Sequence, residues 1–187
     1  MAIYDNPKIV TNGLVLCLDA ANIRSYPGSG TAWTDLSGLG NNGTLTNGPT
    51  FNANNSGSIV FDGTNDTVDC GAVPEIGSLL TGLTISIWIY PTRAALCLIA
   101  ENGTSFTTDT FYLAQENATE FTFSVYGGGF QDRVGSSYTY SLNVWYNLVG
   151  VWASNNPVQM YTNGLETNGS RVSNTRTSLQ NGNTNFF

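Results

Sequence analysis

The chain of 187 residues contains no histidine. A Ser-His-Asp or Cys-His nucleophilic system therefore cannot be assembled from it, and neither can an imidazole-ligated zinc or iron site. Basic residues are almost as scarce. Lys8, Arg24, Arg93, Arg133, Arg171 and Arg176 are scattered along the chain and outnumbered by 13 acids, for a net charge of −7. Gripping nucleic acid or an anionic membrane surface takes clustered cations, so both partners are excluded as expectations. No run of about 18 apolar residues is present, so no membrane insertion through a helix is expected. The opening Met-Ala-Ile-Tyr-Asp-Asn-Pro-Lys shows no basic segment leading into an apolar one, the mark of a secretory signal. The three cysteines, Cys17, Cys70 and Cys97, are odd in number and lack C-x-x-C spacing. They make neither a disulfide framework nor a zinc ribbon and read as buried free thiols.

Charged residues are only 10% of the chain, against about 25% in an ordinary soluble domain. Polarity comes instead from 22 Asn and 23 Thr, with Ser and Gly, while 41% of residues are hydrophobic and 12% aromatic. A chain of this length buries roughly 70% of its unfolded surface, enough for a real core. Seven Asn-Gly dipeptides punctuate about ten short β-prone runs, and the only helical signal is one turn at 74–80. The strongest strand is Leu83–Tyr90, with Ile85, Ile87 and Ile89 on one face and Thr84, Ser86, Trp88 and Tyr90 on the other. The clearest hairpin joins Val144–Trp152 to Val158–Tyr161, followed by a type I′ turn signal at Asn163-Gly164. Further strands are expected at Gly13–Asp19, Thr44–Thr46, Leu96–Ala100, Phe111–Gln115 and Glu120–Tyr126. A hairpin is expected between Ser58–Gly63 and Thr67–Cys70, and a strand or ordered loop within Phe130–Tyr140. Trp88, Trp145 and Trp152 read as core. This pattern predicts an all-β, antiparallel two-sheet sandwich.

Five segments in order resemble the laminin-G-like, concanavalin A-like jelly rolls. They are Gly13-Leu-Val-Leu-Cys-Leu-Asp-Ala20, Trp33-Thr-Asp-Leu-Ser-Gly-Leu-Gly-Asn-Asn-Gly-Thr-Leu45, Phe61-Asp-Gly-Thr-Asn-Asp-Thr-Val68, Thr84-Ile-Ser-Ile-Trp-Ile-Tyr90, and Trp145–Trp152 with Met160-Tyr-Thr-Asn-Gly164. The resemblance implies a lead-in over residues 1–12 and one jelly-roll domain over 13–187. The family's final strand has no counterpart, and the chain ends on Phe186-Phe187, as if a strand were starting. This chain is thus expected to be part of a longer polypeptide. A looser resemblance, in the Asn/Thr/Gly richness and the start Tyr4-Asp-Asn-Pro-Lys-Ile-Val, is to versions carried on tailed-phage particles. Together these imply recognition of glycan or protein, in some members with calcium, rather than catalysis.

A glycosidase on this architecture needs two carboxylates flanking the sugar. The nearest grouping, Glu116 and Glu120, straddles a turn, so no catalytic residue is assigned. Calcium is the one ion for which oxygen ligands crowd together, at Asp62, Asn65, Asp66 and Asp69, with Asp35 and Asn41 in another loop; the alternative is that Asp62 and Asp66 cap a turn. Glycan or partner contact would use aromatics with polar neighbours: Tyr26 and Trp33 in one loop, and Phe130, Asp132, Arg133, Tyr138 and Tyr140, with Gln131, in another. Each could equally be a core residue. The expected function is a non-enzymatic phage virion or appendage protein, binding other virion proteins, itself, or host-surface glycan. The alternatives are a lectin-like module on a bacterial surface and, behind it, a glycoside hydrolase.

Overall fold

The computed structural model describes residues 10–77, 81–103, 111–117, 119–127 and 130–172. The chain divides into two compact units, Met1–Cys70 and Gly71–Phe187. Among the described residues no helix is long and apolar enough to cross a membrane.

In the first unit Gly, Asn and Pro interrupt every apolar run, so its strands are short. They are β1 (Ala32–Trp33), β2 (Gly43–Thr46), β3 (Thr50–Asn52), β4 (Ser58–Val60) and β5 (Thr67–Asp69). An antiparallel sheet runs in the order β1-β2-β5, and β3 pairs with β4 separately. The expected hairpin between Ser58–Gly63 and Thr67–Cys70 is therefore not formed, since its two strands go to different partners. The loop between them is closed by its own side chains. Asp66 accepts the Asp62 N–H at 2.8 Å, and Asp62 accepts the Thr64 N–H at 2.7 Å. A turn satisfied in this way needs no ladder beneath it.

The segment Gly13–Asp19 is likewise not a strand. Its backbone groups are taken up by the loop that follows. The Cys17 N–H donates to the Asp35 carboxylate at 2.9 Å, the Leu36 N–H to the Cys17 carbonyl at 2.9 Å, and the Asn41 amide to the Val15 carbonyl at 3.0 Å. Satisfied by a loop, the segment joins no sheet. Tyr26 lies at the centre of this unit, 4% exposed, with its ring 6.2 Å from Trp33 and 5.4 Å from Phe51.

The second unit opens on one helical turn, α1 (Pro74–Gly77), with proline at its first position, where no N–H partner is needed; the rest of the expected turn, 78–80, lies outside the described residues. Among the described residues nine strands follow: β6 (Gly82–Ile89), β7 (Cys97–Asn102), β8 (Phe111–Gln115), β9 (Phe121–Gly127), β10 (Phe130–Ser136), β11 (Tyr146–Ala153), β12 (Gln159–Thr162), β13 (Leu165–Glu166) and β14 (Asn168–Val172). They form a five-stranded sheet, β14-β10-β9-β8-β7, and a four-stranded sheet, β13-β12-β11-β6, all antiparallel. The expected β11–β12 hairpin forms with Val149 opposite Tyr161. The Asn163-Gly164 turn has both residues at positive φ, 51° and 79°, as a type I′ turn requires. β14 carries no strand signal in Asn-Gly-Ser-Arg-Val; its partner β10 supplies the ladder.

Alternation decides the core. Phe111, Leu113, Phe121, Phe123, Val125 and Val134 of the five-stranded sheet are fully buried, and so are Leu148, Trp152 and Met160 of the four-stranded one. Each such large side chain contributes about 2 kcal/mol by leaving water. At Gly150 the backbone packs directly on the facing sheet, and an added Cβ would lie 2.5 Å from the Phe123 ring. Trp152 is core, as expected. Trp88, expected in the core, is 65% exposed. It shares a strand face with Thr84 and Ser86, and that face points away from the buried residues of β11.

The cysteines also divide. Cys70 is buried and burial, with Asp69 and Asp35 nearby, pushes its thiol up to about 12. Cys17 is half-buried. Cys97 is exposed, against expectation, because its place at the start of edge strand β7 leaves one side uncovered. Alkylation of the native chain by iodoacetamide, mapped by peptide mass spectrometry, is expected to modify Cys97 first and to leave Cys70 intact until the protein is denatured. Equal labelling of both would contradict this burial.

Candidate recognition surface

Most of the side chains nominated from sequence are structural. The Tyr26 hydroxyl donates to the Gly30 carbonyl at 2.8 Å, within the aromatic centre that includes Trp33. Tyr140 is 4% exposed, stacks on Phe121 at 4.4 Å and donates to the Asn117 carbonyl at 2.7 Å; burial pushes its phenol up. Asp132 is 1% exposed and accepts the Val158 N–H at 3.2 Å, linking the two sheets from inside. Tyr138 is exposed, with its ring edge-on to Tyr146. Phe130 opens β10, and its side chain lies outside the described residues. The described members of the second cluster are thus divided between the core (Asp132, Tyr140), the five-stranded sheet's outer face (Arg133) and the loop after β10 (Tyr138).

Arg133 lies on the outer face of the five-stranded sheet. It donates to the Thr122 hydroxyl at 3.2 Å and pairs with Glu116 at 3.6 Å. Beside it the Gln131 amide donates to the Ser124 hydroxyl at 2.7 Å and the Tyr112 hydroxyl at 3.0 Å. These polar groups satisfy one another, and Thr122, Ser124 and Tyr112 are themselves buried. Little hydrogen-bonding capacity is left there for a ligand.

The proposed calcium ligands do not converge. Asp62 and Asp66 accept backbone N–H groups of their own turn, Asn65 presents its carbonyl to the Asn47 amide at 2.7 Å, and Asp69 lies in β5 opposite Thr44. Among the described residues no three carboxylates or cysteines are grouped to hold a metal ion. Asp35 is the reverse of a cation site. Its carboxylate, 7% exposed, accepts from the Cys17, Ser37 and Asn41 N–H groups and the Ser37 hydroxyl, at 2.6–3.1 Å. Burial pushes its pKa up, but these donors, the Ser37 hydroxyl foremost, outweigh it and hold the carboxyl below its ordinary value. The loop is organised around an anion.

The outer face of the four-stranded sheet differs. Register places Trp88 opposite Asn147, Ser86 opposite Val149 and then Tyr161 and Glu166, and Thr84 opposite Val151 and then Gln159. One strand step beyond Trp88, the Tyr90 and Trp145 rings meet at a 50° tilt with centroids 5.4 Å apart, and Tyr90 is 43% exposed. At the opposite end a shallow cleft of about 240 Å³ is lined by Val151, Ala153, Asn156, Pro157 and Gln159. The result is an aromatic platform bordered by hydroxyls and amides on a rigid sheet, without a basic residue in those rows. Gln159 and Tyr161 alternate with buried Met160 and Thr162 along β12 and are partly exposed on this face. The polarity of Thr84 and Ser86, which share the Trp88 face, marks that face as the outer one.

Sixteen solved chains match this one. One is the botulinum neurotoxin type G receptor binding domain, 13% identical with a TM-score of 0.56 over 85% of this chain. The chain spans 43% of that structure, and at this identity the likeness is one of fold. No curated protein matches the sequence. A family described as the concanavalin A-like lectin/glucanases superfamily, of laminin G type, matches residues 62–187. That stretch is more than half of the chain and holds both sheets of the second unit, so the protein belongs to this superfamily, with a lectin-like, all-β jelly-roll fold.

Proposed function

We propose that the protein is a non-enzymatic recognition module that binds glycan on the outer face of the four-stranded sheet. The observation that carries this reading is the 65% exposure of Trp88. A large indole left in water on a sheet face of hydroxyl and amide groups is what stacking against a sugar ring requires, with polar groups beside it for the sugar hydroxyls. Binding without hydrolysis is favoured because the described rows of this face carry one carboxylate, Glu166, where a glycosidase needs two. Glu166 is also engaged by the Asn168 amide. The low charge and Asn/Thr/Gly richness favour a particle-borne setting, on a tailed-phage appendage that meets either host-surface glycan or other virion proteins.

A glycan array probed with the full chain is expected to show binding that falls at least tenfold in Trp88→Ala, as for a central aromatic contact. The melting temperature should stay unchanged, because the side chain is exposed. Tyr138→Ala should leave binding intact. Absence of any glycan binding, in a protein found only in virion contacts, would replace this reading with a purely structural one. Release of reducing sugar from any polysaccharide would overturn the non-enzymatic assignment.

A further inference from the structure

We infer that Asn12-Gly13 is a self-modifying site, where the folded chain turns asparagine into aspartate and isoaspartate ahead of its other described Asn-Gly pairs. Water is the only co-reactant, and the chemistry is independent of the recognition reading above. One fold treats six copies of the same dipeptide very differently.

The sequence holds seven Asn-Gly pairs. Six lie among the described residues, and Asn181-Gly182 lies outside them. Asparagine is a thermolabile residue. The backbone nitrogen of the next residue attacks the side-chain carbon Cγ. A Cγ–N bond forms, the Cγ–Nδ2 bond breaks, and Nδ2 leaves as ammonia, with the proton of the backbone nitrogen passed to it through water. The product is a five-membered succinimide. Water then adds to one of the two ring carbonyls and breaks the bond from that carbon to nitrogen. Opening at Cγ gives aspartate; opening at the backbone carbonyl leaves the chain running through Cγ, as isoaspartate. Glycine speeds the attack because it carries no Cβ to obstruct the approach. The rate then depends on whether the side chain is free to swing Cγ onto that nitrogen.

Four of the pairs are held by hydrogen bonds. The Asn42 side-chain carbonyl accepts the Asp35 N–H at 2.9 Å, and Gly43 is buried in β2. The Asn47 amide, which carries the leaving nitrogen, donates to the Asn65 carbonyl at 2.7 Å. The Asn163 side-chain carbonyl accepts the Asn147 N–H at 2.9 Å. Asn168 is held at both atoms, its carbonyl accepting the Met160 N–H at 2.8 Å and its amide donating to Glu166. Each bond must break before Cγ can turn to the glycine nitrogen. Asn102, in a fifth pair, is fully buried at the end of β7, away from the water that the reaction consumes. Asn12 and Gly13 are both exposed and belong to no strand. Their turn is closed by the residues on either side, with the Leu14 N–H donating to the Thr11 carbonyl at 3.1 Å. Gly13 has φ of 78°, and nothing lies within 4 Å of where its Cβ would be. Gly164 is equally open, at φ of 79°. Asn163-Gly164 is therefore the matched control, in which the held side chain is the difference. The product at position 12 places a new carboxylate, and as isoaspartate an extra backbone carbon, directly before Gly13–Asp19, the segment tied to Asp35.

The test is incubation of the full chain in mildly alkaline buffer, with peptide mass spectrometry to locate each converted asparagine and its isoaspartate, and with released ammonia measured in parallel. Position 12 is expected to convert at least about fivefold faster than Asn163 and Asn47, the factor that one retained hydrogen bond is worth. Asn102 should stay intact while the chain is folded. In urea the six rates should converge, because the bonds and the burial are gone. Gly13→Ala should slow conversion at position 12 about tenfold and leave the other sites unchanged. Conversion of Asn163 as fast as Asn12 in the folded chain would overturn the assignment, and so would a ranking that urea does not alter.

Discussion

Gly150→Ala is expected to destabilise the second unit by about 3 kcal/mol, the upper range for overpacking a closed core. In this strand the substitution should otherwise help, since alanine restricts the unfolded chain more than glycine does by about 0.5–1 kcal/mol. The sign is decided by space. The added methyl would lie 2.5 Å from two carbons of the Phe123 ring and 2.8 Å from a third, far inside contact distance. Phe123 cannot retreat easily, because it is fully buried in β9 between Leu113 of β8 and Val134 of β10. Gly150 is therefore a position that leaves no room for a side chain against the facing sheet. Urea denaturation followed by tryptophan fluorescence measures the loss. Phe123→Leu combined with Gly150→Ala should recover part of it, giving a coupling energy between contacting sites. A Gly150→Ala protein as stable as the parent would disprove the close approach.

Asp35→Ala is expected to cost the first unit about 3–5 kcal/mol. Four donors converge on one buried carboxylate, and removing it leaves three N–H groups and one hydroxyl unsatisfied; each orphaned group costs about 1–3 kcal/mol, less what water recovers. The loop Asp35–Asn42 and the segment Gly13–Asp19 should loosen together, because Asp35 ties one to the other. The same site gives the protein an acid limit. Its folded pKa lies below the ordinary carboxyl value, so its contribution is fully present above about pH 4 and is lost as pH falls through the folded value. Denaturation of the parent and of Asp35→Asn at neutral and strongly acidic pH should show the stability gap between them shrinking in acid. A gap that stayed constant would mean that the carboxylate is not held ionised by these donors.

The sequence made the class of fold legible for definite reasons. Alternation in Leu83–Tyr90 and in Trp145–Trp152 fixes which side chains share a face, because the side-chain period of a strand is two. Asn163-Gly164 fixes a tight turn, because both residues accept positive φ. The absence of histidine and the scatter of six cations limit the chemistry whatever the fold.

Which face of a strand is the inner one depends on what packs against it, and composition does not supply that. Trp88 and Trp152 are the same residue type in equally apolar strands, yet one is 65% exposed and the other 1%. Tyr140 and Asp132 look like ligand contacts in a loop-rich sequence, and both are enclosed by strands distant along the chain. Gly13–Asp19 has strand composition, but a carboxylate 18 residues away from Cys17 takes its hydrogen bond. The sequence by itself determined an antiparallel β protein with no histidine chemistry and no basic surface. Tertiary structure alone decided that the exposed aromatic platform is Trp88, since burial is a property of the pairing between sheets and not of any one segment.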